Sequence, residues 1–260
     1  MFQARDILIY LSIICQGDAV KIIDMVNNRV PLDSKDMEAK LANRNFKCIT
    51  ILDKDYPESL RQIYPAPIVL YYEGDISLIY NVKDNISIVG SRKYSEYGGK
   101  MTDQIATELS YRYNIVSGMA RGIDAIAHQA ALNNHKKTIA VFGCGTDICY
   151  PPSNIKLFNQ IKNEGLVLSE YPPGTKPSQD YFPARNRIIA ALGNSLLVTD
   201  AEIQSGTAIT VNFALNLGKE VFAIPHEVGS KGSGVNALIR EGAILVEKAE
   251  DIFFDLKTVK

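Results

Sequence analysis

The sequence predicts an α/β fold built on a mostly parallel β-sheet with helices on both faces. Two observations predict it. From about residue 85 onward, six short apolar runs alternate with segments of helical length, an alternation that is typical of parallel strands joined by crossover helices. Most positions in these runs are apolar, with few polar residues between them, as expected of strands that are buried on both faces.

The six runs are rich in Val, Ile and Leu, and most of these residues favour strands. The runs are 86–89, 114–116, 138–142, 166–168, 196–198 and 221–224. The helices expected between them are 95–112, 121–134, 154–164, 184–193 and 207–218, with a further short amphipathic helix from Ala249.

The first 84 residues have a different pattern. Residues 1–45 are expected to form a small helical region, and the α/β domain is expected to span residues 46–260. Ahead of the alternating pattern, the runs 48–52 and 67–72 are predicted to be strands, because each is apolar and ends at a turn signal rich in Asp, Gly or Pro.

The composition is that of a folded globular protein, with 46% hydrophobic and 22% charged residues among 260, which excludes a disordered chain. No apolar run approaches the roughly 20 residues of a membrane span, and no basic segment precedes an apolar one at the N-terminus. We therefore expect a cytoplasmic protein with no membrane partner. The net charge is −1, but residues 85–190 hold 12 basic against 8 acidic side chains, a distribution compatible with a local basic pocket.

Nearly every predicted strand is followed by glycine, serine or threonine, and two of the loops add an arginine, Arg92 and Arg121. Ligands of open parallel sheets bind beyond the carboxyl ends of the strands. Glycine lets backbone N–H groups approach a phosphate, helix N-termini favour anions, and arginine adds a charged fork of donors. The pattern therefore favours a phosphate-type ligand over the alternative that these glycines serve only the turns.

The segment 180–187 breaks local rules. Two aromatic residues precede Pro183 at a predicted helix start, and Arg185, Asn186 and Arg187 follow in the expected first turn, where the helix dipole disfavours cations. Such departures concentrate at functional sites. Aromatic rings beside arginine are elements of single-strand binding surfaces, and the alternative is a packed phenylalanine with solvated arginines.

The sequence contains few signs of a cofactor, metal or catalytic site. The Gly143-Cys144-Gly145 turn begins a dinucleotide fingerprint, but Ile148 stands where its last small residue belongs. Four cysteines and three histidines show no zinc-ligand spacing, so neither a metal nor a cofactor is expected. His128 is interpreted as a structural histidine, and Glu170 and Asp200, which follow strands, as carboxylates that orient an arginine.

In this order along the chain, the motifs closely resemble the DprA/Smf family of bacterial DNA-processing proteins, over about residues 50–250. The matching stretches are 88–92 with 97–98, 116–124 with 127–128, 138–145 with 150–151, 168–174, 182–190, 205–207 and 220–225. The resemblance implies an extended Rossmann-like, doubly wound core that binds single-stranded DNA in a basic pocket. It also implies a homodimer that loads RecA onto incoming strands in natural transformation and recombination, and that binds rather than catalyses.

The residues expected to contact or shape the DNA site follow from these motifs. They are Gly90, Ser91, Arg92, Gly118, Arg121, Gly143, Lys176, Phe182, Arg185, Asn186, Ser205, Gly206 and Thr207. Family members often carry a basic residue shortly before the Phe-Pro pair. Gln179 and Asp180 stand there in this chain, so Lys176 is the nearest cation that could replace it.

Two further comparisons with the family bear on domains and activity. No C-terminal winged-helix domain is expected, because the chain stops at Lys260, and residues 1–45 match the family's SAM-like domain only loosely. The alternative function is a nucleotide-binding or phosphoribohydrolase-like protein on a related fold. Those hydrolases carry P-G-G-x-G-T-x-x-E, whereas Thr210 occupies the position of the catalytic glutamate here, which disfavours hydrolysis.

Overall fold

A computed structural model of the chain describes residues 2–42, 44–202 and 206–258. Within these residues, the strands, numbered along the chain, are β1 Lys47–Thr50, β2 Val69–Gly74, β3 Asn85–Gly90, β4 Asn114–Ser117, β5 Thr138–Phe142, β6 Leu166–Ser169, β7 Leu196–Asp200, β8 Val221–Ala223 and β9 Ile244–Leu245. The helices are α1 Ala4–Ile14, α2 Ala19–Asn27, α3 Ser34–Ala42, α4 Glu58–Arg61, α5 Glu96–Ser110, α6 Ile123–Asn133, α7 Ile155–Glu164, α8 Tyr181–Leu192, α9 Thr207–Asn216, α10 Gly234–Arg240 and α11 Ala249–Thr258.

The strands form one sheet in the order β1-β2-β6-β5-β4-β3-β7-β8-β9. The seven strands from β6 to β9 are parallel, while β1 and β2 pair antiparallel at one edge. β3 lies between β4 on one side and β7 on the other, so the direction in which strands are added reverses at β3. A crevice opens at such a switch point, beyond the carboxyl ends of the strands.

Alternate residues of the central strands pack under different helices, which confirms the predicted α/β fold. Ile88 of β3 belongs to a cluster with Ile105 of α5. The next residue, Val89, belongs to the cluster on the other face, with Ile188 of α8 and Val211 of α9. Successive side chains of a strand point to opposite faces, so the continuous apolar runs are explained by helices covering both faces.

Three helices at the N-terminus cover the antiparallel edge of the sheet. Ile9 of α1 and Ile22 of α2 pack with Tyr71 of β2, and the Tyr71 hydroxyl lies 2.9 Å from the Ser12 hydroxyl. Arg5 forms an ion pair of 3.0 Å with Asp53, which follows β1. The predicted helices of this region are therefore present and attached to the edge strands.

The predicted strands are confirmed to within two residues at each end, and the largest difference among the helices is at α8. This helix begins at Tyr181 rather than at 184, because Pro183 is tolerated in a first turn whose N–H groups have no intrahelical partner. Arg185 therefore lies in the second turn, not the first. β9 and α10 were not predicted, since two and seven residues carry too little periodicity. None of the helices in the described part of the chain has both the length and the hydropathy of a membrane span.

Candidate functional site

A cavity of about 630 Å³ lies at the switch point, where the strand ends of β3 and β7 meet the N-terminal parts of α8 and α9. Its size is within the range of ligand-binding pockets. Eight of the predicted site residues line it: Gly90, Ser91, Arg92, Phe182, Arg185, Asn186, Gly206 and Thr207. The structure therefore brings together residues from three separate motifs.

The loop after β3 carries the exposed cations of the cavity. The Ser91 amide donates to the carbonyl of Asp200 at 2.8 Å, and the Ser91 hydroxyl accepts from the Lys93 amide at 3.1 Å. These bonds fix the backbone of the turn. Arg92 and Lys93 are both exposed and both line the cavity.

Arg185 forms part of the cavity wall but is nearly fully buried. Its guanidinium donates to the backbone carbonyls of Gly118 and Val141, and its Nε donates to the Asn186 side chain at 3.2 Å. A Cβ atom at Gly118 would overlap the guanidinium, so glycine is required there by a close approach. Burial lowers the pKa of the Arg185 guanidinium, and the Asp124 carboxylate opposes that shift.

Asp124 is a buried acid that faces the same cavity. Its Oδ2 accepts from the Ala120 amide at 3.2 Å, and burial raises the pKa of its carboxyl. The charged side chains lining the cavity among the described residues are therefore Arg92, Lys93 and Arg185 against Asp124 and Glu202. The balance is weakly positive, with the free cations at the loop after β3.

Two stacked aromatic rings form another wall. Tyr150 stacks on Phe182 with ring centres 5.3 Å apart and an interplanar angle of 23°. The Arg92 guanidinium lies 5.6 Å from the centre of the Phe182 ring. A Cβ atom at Gly143 would lie 3.0 Å from Phe182, so Gly143 makes room for this ring from behind and does not line the cavity.

The first turn of α9 contributes two threonines to the cavity lining. Thr207 and Thr210 are 7% and 2% exposed, and both line it. Neither hydroxyl has a hydrogen-bond partner within residues 2–42, 44–202 and 206–258. Both residues stand at a helix N-terminus, which favours anions, so their hydroxyls are placed to bind an anionic or polar ligand.

The remaining predicted site residues lie elsewhere. Arg121 and Lys176 are exposed and do not line the cavity. The structure therefore does not place either of these two predicted cations in the site. Gly118 lies behind the cavity wall and leaves room for the Arg185 guanidinium, and Gly143 leaves room for the Phe182 ring in the same way. Ser205 lies outside the described residues.

The alternative of solvated arginines is contradicted at Arg187 as well as at Arg185, because both are buried. The Arg187 guanidinium donates to both carboxylate oxygens of Glu170, at 2.7 and 2.8 Å, which confirms that Glu170 orients an arginine. Asp200 does not. Among the residues that the structure describes, its Oδ2 accepts from the amide and hydroxyl of Ser95, at 2.9 and 2.7 Å, at the N-cap of α5.

His128 is a buried structural histidine, as predicted. Its Nδ1 lies 2.6 Å from the Thr138 hydroxyl, which itself donates to the Ile115 carbonyl at 2.7 Å. The hydroxyl therefore accepts from Nδ1–H, which fixes the tautomer. Burial lowers the pKa of His128 to about 3, so the ring is neutral at physiological pH.

Sequence reasoning missed several lining residues, among them Lys93, Asp124, Tyr150 and Thr210. Signals for three of them were present. Lys93 directly follows the Gly-Ser-Arg turn, and Thr210 lies three residues after Thr207, on the same helix face. Tyr150 is part of a motif that was noted, but it lies eight residues beyond the end of β5, where loop geometry decides its position.

Comparisons with known proteins agree with one another. Residues 47–257 match the family described as DNA recombination-mediator protein A. The chain is 43% identical over 215 residues to the DNA processing protein DprA of Streptococcus pneumoniae, covering 82% of this chain and 76% of that protein. The X-ray structure of S. pneumoniae DprA superposes with a TM-score of 0.83, at 36% identity, over 97% of this chain and 98% of that one. The structure of DNA processing protein A from Helicobacter pylori superposes with a TM-score of 0.74 at 30% identity, over 82% of this chain and 97% of that one. That structure is reported for its unique single-stranded DNA binding mode.

Proposed function

The chain belongs to the DNA recombination-mediator protein A family of DNA-processing proteins, and from this premise we propose that it binds single-stranded DNA in the cavity at the ends of β3 and β7. One observation carries the proposal. Exposed cations, an aromatic wall and two threonines of a helix N-terminus converge on one cavity. The H. pylori relative, described by its single-stranded DNA binding mode, supports the same class of ligand.

Phosphate binding is assigned to the loop after β3 and to the first turn of α9. Arg92 and Lys93 supply charge, and Thr207 and Thr210 supply hydroxyl donors beside the positive end of the helix. Arg185 has a different role. Its Nη1 and Nε groups donate to backbone carbonyls and to Asn186, so these donors hold the side chain in the wall of the cavity.

The finer function is also a proposal. We propose that the protein acts as a cytoplasmic homodimer, by binding rather than catalysis, and that it promotes loading of RecA onto the bound strand. The similarity to S. pneumoniae DprA over most of both chains supports this. Sedimentation of the purified protein tests the dimer, and RecA filament assembly on a single strand, with and without the protein, tests the loading.

The binding proposal is tested by fluorescence anisotropy with a labelled single strand and a duplex of the same length at several salt concentrations. We expect tighter binding of the single strand and affinity that falls steeply with salt, because phosphate contacts release counterions. Arg92→Ala should weaken binding of every sequence and reduce the salt slope by about one.

Arg112→Ala is the matched control, since Arg112 is exposed at the amino ends of the strands, packed on Phe253. It should bind like the unmodified protein. Equal affinity for single strand and duplex, or an unchanged salt slope in Arg92→Ala, would refute the proposal.

A free mononucleotide is the second candidate ligand, favoured by the same unpartnered threonine hydroxyls. Thr210 stands where the related hydrolases carry glutamate, so binding without hydrolysis is the form this alternative takes. A thermal shift with a nucleoside monophosphate that exceeds the shift with an oligonucleotide would select it, and release of free base would revive the hydrolase.

A further inference from the structure

We propose that Asp200 is a positioning residue for strand binding, which holds the loop between β3 and α5 at both ends and so fixes Arg92 and Lys93 at the cavity. The inference rests on the proposed binding of single-stranded DNA and adds to it a residue that acts without touching the strand. Asp200, the last residue of β7, is fully buried and lies outside the cavity lining.

The loop is tied to Asp200 by backbone and side-chain hydrogen bonds. The Asp200 carbonyl accepts from the Ser91 amide at 2.8 Å. Its Oδ2 atom accepts from the Ser95 amide and hydroxyl, at 2.9 and 2.7 Å. The three residues between the two serines are all exposed and include Arg92 and Lys93. One residue of a neighbouring strand therefore closes the loop, and the positions of the two cations depend on that closure.

Gly98 is required by the close approach of the Asp200 carboxylate. A Cβ atom at Gly98 would overlap Oδ2 of Asp200, and the Gly98 amide donates to the Ser95 hydroxyl oxygen at 3.0 Å. Gly98 belongs to the Tyr97-Gly98 pair of the sequence motif, and neither residue of that pair lines the cavity. The glycine of the motif is therefore explained by Asp200 and not by a ligand.

Helix capping alone does not account for Asp200. The N-cap of α5 is Ser95, whose side chain already accepts from a backbone amide of the first turn. The comparable cap of α2 is local, since Asp18 accepts from the Lys21 amide three residues ahead. Asp200 instead stands 105 positions from Ser95, so its hydrogen bonds attach the loop to the sheet.

The Asp200 carboxylate has an unusual environment. Within residues 2–42, 44–202 and 206–258, its buried Oδ1 atom has no hydrogen-bond partner and the side chain forms no ion pair. Burial of a carboxylate without a cation is costly, and departures of this kind concentrate at functional sites. Because only Oδ2 holds the loop, an asparagine at position 200 should keep the hydrogen bonds that an alanine loses.

A fixed loop improves binding because its cations are ordered before the strand arrives. Immobilising a long, flexible side chain during binding lowers affinity. The Arg92 guanidinium already lies 5.6 Å from the centre of the Phe182 ring, and both residues line the cavity. Release of the loop should therefore weaken binding although every cation is still present.

Limited proteolysis tests the loop without DNA. Trypsin cleaves after arginine and lysine, so cleavage after Arg92 and Lys93, relative to other tryptic sites, reports opening of the loop. Asp200→Ala should raise this relative rate by roughly tenfold, because charge-assisted hydrogen bonds are lost and the open form is more populated. Asp200→Asn should stay within about twofold of the unmodified protein. Ser95→Ala loses one of the two side-chain hydrogen bonds, should lie between them, and replaces Asp200→Ala if that variant does not fold.

Thr102→Val is the matched control for proteolysis. The Thr102 hydroxyl lies 2.6 Å from the hydroxyl of Thr199, the residue before Asp200, so the variant loses a buried hydrogen bond to the same strand without removing one from the loop. Its cleavage after Arg92 and Lys93 should rise no more than its cleavage elsewhere in the chain.

A double-mutant cycle tests the effect on binding, by anisotropy with a labelled single strand. Asp200→Ala should weaken binding by roughly 2- to 12-fold, the effect of ordering one long side chain, and Asp200→Asn should not. In an Arg92→Ala background the effect of Asp200→Ala should shrink, since the cation that the loop positions is gone. Thr102→Val should leave the affinity unchanged in either background.

Two results would overturn the inference. If Asp200→Ala raises cleavage at the loop no more than Thr102→Val does, Asp200 only stabilises the fold. If the loop opens but the affinity is unchanged, or falls equally with and without Arg92, Asp200 does not act through the cation. Failure of the unmodified protein to bind a single strand is distinguishable from both, because it refutes the proposed function, and the role in binding with it, whatever the cleavage shows.

Discussion

Arg187 donates hydrogen bonds of 2.7 and 2.8 Å to the two carboxylate oxygens of Glu170, and both side chains are buried. Burial raises the pKa of the Glu170 carboxyl, and the guanidinium opposes that shift. Arg187 also donates to the Pro65 carbonyl at 2.9 Å. The pair therefore ties α8, the end of β6 and the segment before β2 together behind the cavity, and so helps to fix the helix that carries Phe182.

Removal of one partner of this pair should destabilise the protein strongly. Arg187→Leu leaves the Glu170 carboxylate buried without its cation, and the free energy of unfolding should fall by about 3–5 kcal/mol, measured by urea denaturation. The exposed pair of Lys40 and Asp36 is the control, since Lys40→Ala should cost at most about 1 kcal/mol. Similar losses in the two variants would contradict a special role for the buried pair.

Gly118→Ala should disrupt the wall of the cavity. The added Cβ overlaps the Arg185 guanidinium, which must leave its two backbone carbonyls, and each unsatisfied buried group costs about 1–3 kcal/mol. Urea denaturation should show this loss, and single-strand affinity should fall with it. Gly206→Ala, with open space around the new atom, should keep the stability within about 0.5 kcal/mol.

Thr210→Val should separate binding from stability. The substitution keeps the shape and removes a hydroxyl that has no protein partner within the described part of the chain, so the free energy of unfolding should not fall. Single-strand affinity should fall by about 1.5–3 kcal/mol, the value of a hydrogen bond to a charged group.

Thr102→Val is the opposite case and serves as the control. The Thr102 hydroxyl bonds to the Gly98 carbonyl and to Thr199, both at 2.6 Å, so its loss should lower stability and leave DNA affinity unchanged. A Thr210→Val protein with full affinity in the anisotropy titration would remove this hydroxyl from the site.

His128 should make stability depend on pH. Burial lowers the pKa of His128 in the folded protein to about 3 from 6.5, so between these values the unfolded chain binds the extra proton. The contribution is complete above pH 6.5 and is lost as the pH falls, by up to about 1.4 kcal/mol per unit.

Urea denaturation at pH 7, 6 and 5 measures this dependence. His128→Gln should flatten the slope between pH 6.5 and 5, whatever its effect on absolute stability. The same substitution at His135, which is exposed, should leave the slope as it is. An unchanged slope in His128→Gln would show that another group titrates.

Most of the fold could be predicted because a parallel strand covered on both faces is necessarily a continuous apolar run. The start of α8 was misplaced because proline is compatible with several positions in a first turn. At the site, Ser91 and Arg92 were found because they directly follow the end of β3, and Thr207 because it belongs to the Ser-Gly-Thr motif at the start of a predicted helix. Tyr150 was missed because it lies eight residues beyond the end of β5, and the path of such a loop depends on what it packs against.

The sequence by itself determined the fold class and the edge of the sheet at which the site lies, since both follow from local patterns and from the direction of parallel strands. Only the tertiary structure decided which cations reach a ligand. Arg185 and Arg187 are two residues apart, about 200° around the helix, yet both are buried. One lies against Gly118, 67 positions away, and the other against Glu170, 17 positions away. The exposure of a long cationic side chain is set by such distant partners, which no local pattern specifies.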